Sequence, residues 1–203
     1  MNILLLSEHG FSLGGAELYA QIIYQELRRF GISVIKASIR GYGYDIKLES
    51  STSAFRRFYD FKFSKSIKDI IIKFKIDLVY VNLLHAPYAF NFHRIIAHRK
   101  IPYIIAVHDW EYVCPTSYRV MLPEMKPCNL RDISWHCLKC VYHDTKSIVQ
   151  PLLRVPYNWY VFNKYLKDAL LILVPNEEYA DILRGKGYNA IYKPLPYDYS
   201  SLK

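Results

Sequence analysis

Four groups of residues in this 203-residue chain have types and spacings that could do chemistry. The first is Gly14-Gly15-Ala16-Glu17, a glycine pair at the head of an apolar-periodic segment. Glycine lets a ligand approach the backbone closely, and the unpaired N–H groups of a helix start attract phosphate. The chain has neither G-x-G-x-x-G nor a P-loop lysine, so the two common nucleotide fingerprints are excluded. A plain loop-to-helix turn is the competing reading. The second group is His108-Asp109, directly after the apolar run 103–107. His108 could donate to a phosphate or a sugar hydroxyl, or exchange a proton near neutral pH. Asp109 could orient it or cap a following turn. A structural histidine hydrogen-bonded in a loop is the alternative.

The third group is Cys114, Cys128, Cys137 and Cys140, spaced C-x13-C-x8-C-x2-C. The closing pair has the knuckle spacing of tetrahedral zinc, and four thiolates would close the shell and make the metal structural. His136 and His143 are reserve ligands. Buried free cysteines, or disulfides under oxidation, fit the same residues. The fourth group runs from Arg56-Arg57-Phe58-Tyr59 through Phe61-Lys62-Phe63 and Lys65 to Lys68, Lys73 and Lys75. Cations interleaved with aromatics suit an anionic membrane surface or a nucleic-acid backbone. An amphipathic helix packed on a sheet, with a solvated lysine face, is the favoured reading for most of these residues.

Alternating strands and helices must position these groups. Asn2–Ser7 is a short apolar run of the kind buried in parallel sheets. From Ala16 the period changes: Ala16, Tyr19, Ala20, Ile23, Leu27 and Phe30 share a helical face that Gly31 ends. A strand over 32–38 completes a right-handed βαβ unit. Helices are expected over 64–74, 88–98 and 177–184, and strands over 77–81, 103–107, 169–174 and Ala190–Tyr192. Residues 145–167 read as mostly helical, with Pro151 and Pro156 bending or breaking the run. The pattern implies an α/β fold: a Rossmann-like parallel sheet with helices on both faces. An irregular cysteine-containing insert interrupts it at about 111–143. Ligands of such sheets bind beyond the carboxyl ends of the strands. Gly14–Gly15 and His108 therefore converge on one sheet edge although they are far apart in sequence.

Composition narrows the classes. The chain is 52% hydrophobic and 22% charged, which excludes a disordered or collagen-like protein. Its length suits one domain, 1–203. The net charge of +9 favours anionic partners. No helix-turn-helix, RNP or finger pattern accompanies it, so nucleic acid is not favoured. No apolar run of transmembrane length and no signal-peptide pattern is visible. The expected location is cytoplasmic, with peripheral contact at the inner membrane face as an extension.

An N-terminal strand, GGAE opening a helix, and a later "AVHDWEYVCP" followed by C…C-x-x-C together resemble family 4 glycosyltransferases of the GT-B fold. The stretch "DALLILVPNEEYADIL" is similar to the family's last strand and helix of the N-terminal domain. The resemblance covers essentially the whole chain. It implies an acceptor-side domain, one half of a GT-B architecture, in a retaining transfer from a nucleotide sugar to a lipid-linked or glycan acceptor. Gly15 then matches the glycine that approaches the donor diphosphate, and His108 the histidine that faces the reacting sugar. Gly14 and Glu17 complete the donor-phosphate or acceptor-binding set, and Asp109 stands beside His108 in the catalytic set. No cofactor is required for catalysis, and any zinc is structural. The family's Glu-x7-Glu signature is absent: no glutamate has another eight positions on. The resemblance therefore implies that the donor domain is missing, that a donor-binding domain, separately encoded or part of a longer parent protein, completes the enzyme, and that the isolated chain is inactive. A non-catalytic binding module of the same fold, acting through its zinc insert or basic face, is the alternative.

Overall fold

The structure, a computed structural model, describes residues 1–9, 15–39, 44–48, 61–122 and 124–194. The chain divides into two compact units, one of Met1–His108 and Ala169–Lys203, the other of Asp109–Asp168. The insert expected at 111–143 falls inside the second.

The first unit is a seven-stranded sheet with helices on both faces, the Rossmann-like class expected from the sequence. Its strands are β1 (Asn2–Ser7), β2 (Ser33–Ser38), β3 (Ile46–Lys47), β4 (Leu78–Leu83), β5 (Tyr103–Ala106), β8 (Leu171–Val174) and β9 (Ala190–Tyr192). They lie in the order β3-β2-β1-β4-β5-β8-β9, and every pairing is parallel. The central strands are covered on both faces, so their apolar runs are continuous: Leu4, Leu5 and Leu6 are all fully buried. Each contributes about 1.5–3 kcal/mol by leaving water.

Helix α1 (Gly15–Arg29) buries Tyr19 and Ala20 on the sheet. Phe30, expected on the same face, lies one residue past the helix and is exposed. Gly31 takes φ +74°, the left-handed conformation that ends a helix without strain in glycine. Helix α2 (Phe61–Phe74) turns Phe63, Ile67, Ile70 and Ile71 inward and Lys62, Lys65, Lys68 and Lys73 to solvent. Its cations therefore form the solvated face of an amphipathic helix. Residues 56–60 of the basic-aromatic segment lie outside the described residues. Helix α3 (Ala86–Arg99) begins with Pro87 in its first turn, where a missing N–H is harmless. In α6 (Glu177–Gly185) the Asn176 side chain caps the helix by accepting the Tyr179 N–H at 3.2 Å, and Glu177 and Glu178 complement the dipole.

The second unit holds a small hairpin, β6 (Val120–Met121) with β7 (Lys126–Pro127), and two helices, α4 (Cys137–Thr145) and α5 (Val149–Lys167). Its core stacks Tyr112 edge-on against Phe162 at 4.7 Å and Tyr165 at 6.0 Å. The Arg119 guanidinium lies 4.2 Å over the Trp110 ring. Two expectations change here. The cysteine segment is not irregular throughout, because its last part is the helix α4. Prolines do not break 149–167: Pro151 sits in the first turn of α5, and Pro156 lies inside an unbroken helix. No helix among the described residues is long and apolar enough to cross a membrane.

Candidate active site

The sheet order reverses between β1 and β4. Strands β2 and β3 lie on one side of this point, and β5, β8 and β9 on the other. Crossovers leave in opposite directions there and open a crevice at the strands' carboxyl ends. The β1–β4 register slips at that edge, pairing Leu6 with Val81 but Ser7 with Leu83. Asn82 is the residue left over, in the manner of a bulge that re-aims a side chain.

Asn82 is fully buried and bonds in two directions. Its Nδ2 donates to the Ala16 carbonyl in the first turn of α1 at 2.9 Å. Its Oδ1 lies 2.9 Å from His108 Nε2. Because the amide nitrogen already serves Ala16, the atom facing the imidazole is the acceptor. Nε2 must then carry the hydrogen, which leaves Nδ1 with its lone pair. Nδ1 is buried and has no partner among the described residues. Burial lowers His108 from its ordinary 6.5 to about 4, and the Asn82 bond opposes the shift only in part. The imidazole is therefore neutral at neutral pH, an acceptor of hydrogen bonds rather than a proton store. Tyr19 packs edge-on against it with centroids 5.2 Å apart, and Tyr80 donates to the Tyr19 hydroxyl at 3.2 Å. Asn82 of β4 thus holds the histidine that follows β5 in one tautomer, and Tyr19 of α1 packs against its ring.

Gly15 opens α1, and a Cβ built there would meet no described atom within 4 Å. Neither packing nor a positive φ requires glycine at this position. Among the described residues, nothing fills the space beside this position. Gly14 lies outside the described residues. Glu17 is half-buried in the first helical turn. Asp109 begins the second unit, where its Oδ1 accepts the Glu111 N–H at 2.8 Å and so caps the turn that follows.

Three further residues at this edge were not legible in the sequence. Glu8 is buried, and its Oε2 accepts the His85 backbone N–H at 3.1 Å and faces His85 Nδ1 at 2.7 Å. The His9 and His85 rings meet edge-on at 6.2 Å. Among the described residues, Glu8, His9 and His85 are the set whose ligand atoms all fall within 4.8 Å of one another. Two imidazoles and a carboxylate suit a transition ion, and the same contacts also satisfy a buried carboxylate. The 77-residue separation of Glu8 and His85 hides the pair from any local reading. Asn82, a single amide in the apolar strand LVYVNL, was the one available signal.

All four cysteines are free thiols in the second unit. They do not form a set within the 4.8 Å limit that the Glu8 group meets. Cys137 and Cys140 lie at the start of α4. Burial raises the Cys137 thiol, and the charges of nearby Cys114 and Cys140 add to the rise. Backbone N–H groups point at two sulfurs, Ser134 at Cys137 (3.5 Å) and Leu122 at Cys140 (3.4 Å).

No protein-family profile matches the chain, and no curated protein matches it in sequence. Solved structures do match. Sucrose-phosphate synthase from Thermosynechococcus elongatus is 14% identical with a TM-score of 0.59, over 96% of this chain and 48% of that one. Anabaena HepE in complex with UDP is 14% identical with a TM-score of 0.57, over 98% of this chain and 45% of its own. A UGT transferase from Siraitia grosvenorii in complex with UDP is 12% identical with a TM-score of 0.54, over 97% and 48%. At these identities the likeness is one of fold, and the chain spans about half the length of each.

Proposed function

We propose that the chain is the acceptor-side half of a retaining, family 4-type glycosyltransferase. It moves a sugar from a nucleotide-sugar donor to a lipid-linked or glycan acceptor, and a donor-binding domain completes it. The observation that carries this reading is the bonded chain from His108 through Asn82 to Ala16. It ties a neutral histidine to the helix start that Gly15 opens, at the crevice where the sheet order reverses. Each part has a task in sugar transfer. The first N–H groups of α1, unscreened at Gly15, suit the donor diphosphate. His108, neutral and beside the crevice, suits a place facing the reacting sugar, and a fixed tautomer spares the reacting complex any reorganisation. The Glu17 carboxylate, poorly suited to a phosphate, suits hydroxyl groups of the acceptor. Fold neighbours add support: HepE has been solved with UDP and with UDP-glucose.

No metal enters the transfer step in this reading; a structural zinc on the four cysteines would order the second unit, and it requires their sulfurs to draw closer than the described arrangement holds them. The test is reconstitution. The isolated chain is expected to transfer nothing, and a cognate donor-binding domain, fused or supplied in trans, is expected to restore transfer. Robust turnover by the pure chain contradicts the half-enzyme reading. Tight acceptor binding with no transfer after reconstitution favours a binding module instead.

A further inference from the structure

Strands β1 and β4 are neighbours at the point where the sheet order reverses, and metal-ligating side chains gather where they end. Glu8 and His9 follow β1 directly, in a bend. Successive side chains point apart along a strand, and the bend lets these two converge. His85 comes from the other side, between β4 and α3. Backbone bonds fix the frame. The Glu8 N–H donates to the Leu83 carbonyl at 3.0 Å, and the His85 carbonyl accepts from Tyr88 and Ala89 in the first turn of α3 at 3.0 and 2.9 Å. Groups mounted on rigid elements in this way are held ready for a ligand.

A buried carboxylate needs partners, and Glu8, 3% exposed, has them in the backbone N–H and the Nδ1 of His85. A structural carboxylate–histidine pair would be complete at that point. His9 adds a third donor atom within 4.8 Å of the other two. Its ring meets His85 edge-on, and among the described residues it makes no hydrogen bond. Three donors that converge while the third bonds to neither of the others form a ligand set. Two imidazole nitrogens and one carboxylate oxygen suit zinc, cobalt or nickel, whereas magnesium and calcium take oxygen donors. We propose that Glu8, His9 and His85 bind a divalent transition ion of this kind, with a coordination position left for water or a ligand's oxygen. The ion takes the place of the hydrogen between His85 Nδ1 and the carboxylate, and the neutral imidazole then carries its proton on Nε2. This site lies in the first unit, apart from the cysteines of the second. It is also independent of the transfer reaction, since ion binding is measured without donor or acceptor.

Three ligands hold an ion less tightly than four thiolates, so a chelator wash strips this site and the ion is then added back. The washed, reduced chain is titrated with zinc against a chromophoric chelator. The wild type is expected to take up one equivalent more than His9→Ala with His85→Ala, whatever the cysteines hold. Glu8→Gln, which removes the anionic donor at nearly constant shape, is expected to weaken uptake at least about tenfold. Excess magnesium should not compete. Cobalt reads the ligand type: the visible band that the double variant loses should carry no thiolate charge-transfer absorption. His85 also serves Glu8, so if the double variant proves unstable, His9→Ala alone serves. His9 is half-buried and makes no hydrogen bond among the described residues, so its metal-free melting should not move while zinc binding weakens at least about tenfold. Equal zinc uptake by the wild type and a folded variant overturns the proposal. Competition by magnesium, or a lost cobalt band of thiolate character, overturns it equally.

Discussion

His108 acts here as a neutral imidazole, and that state can be read from stability. Its folded value of about 4 lies below its ordinary 6.5. The unfolded chain therefore binds the extra proton between those two values. The stability this group contributes is complete above pH 6.5 and is lost as pH falls toward 4. By linkage the full window is worth on the order of 3 kcal/mol. Urea midpoints of the wild type should fall over this window more steeply than those of His108→Gln, in which the titrating group is gone. Parallel slopes would show that the imidazole is not desolvated. Gly15 permits a complementary separation of fold from function. With open space at its Cβ and no positive φ, Gly15→Ala should leave the melting temperature unchanged or slightly raised. It should raise KM for a nucleotide sugar about tenfold in the reconstituted enzyme, because the added methyl keeps phosphate off the helix start. A lower melting temperature with normal KM would make Gly15 a folding residue.

At the scale of elements, β4 carries more of the site than its sequence suggests. Asn82 serves two partners from a slipped register, so Asn82→Leu strands a buried N–H on His108. The expected loss is about 1–3 kcal/mol, read by chemical denaturation. A loss no larger than that of an exposed substitution would mean the bonded chain is not formed. Helix α4 and its neighbours carry the zinc proposal: the purified chain should hold a single zinc that Cys137→Ser releases, and a metal-free wild type would refute it. The strands were the most legible elements. Buried parallel strands are unbroken apolar runs, and β1 and β9 have the bounds that the runs predict. Helix α4 was not legible, because CLKCVYHDT mixes ligand-like residues with a weak period. Strand β3, two residues long, is too short for any period to register. Pro156 misled for a different reason: it lies on the exposed side of α5, and packing of the opposite face holds the helix together across it. The convergence of Gly15 and His108 followed from topology alone, whereas Asn82, Glu8 and His85 needed coordinates, since their partners lie 26 to 77 residues away.

For the whole molecule, the length that first suggested one domain holds a parallel α/β sheet and a second compact unit. Solved structures match that architecture over about half their own length. In the proposed transfer, a crevice at the carboxyl edge of one sheet supplies groups from one side. Sugar transfer also needs the donor held from the other. The net charge of +9 suits the phosphorylated donor of the proposed transfer. The most direct test is release of the nucleoside diphosphate from a panel of nucleotide sugars by the chain joined to a cognate donor-binding domain, an assay that needs no known acceptor. Release by the wild-type assembly is predicted, with a loss of about a hundredfold in His108→Ala at unchanged melting temperature. Equal release by His108→Ala would contradict the account.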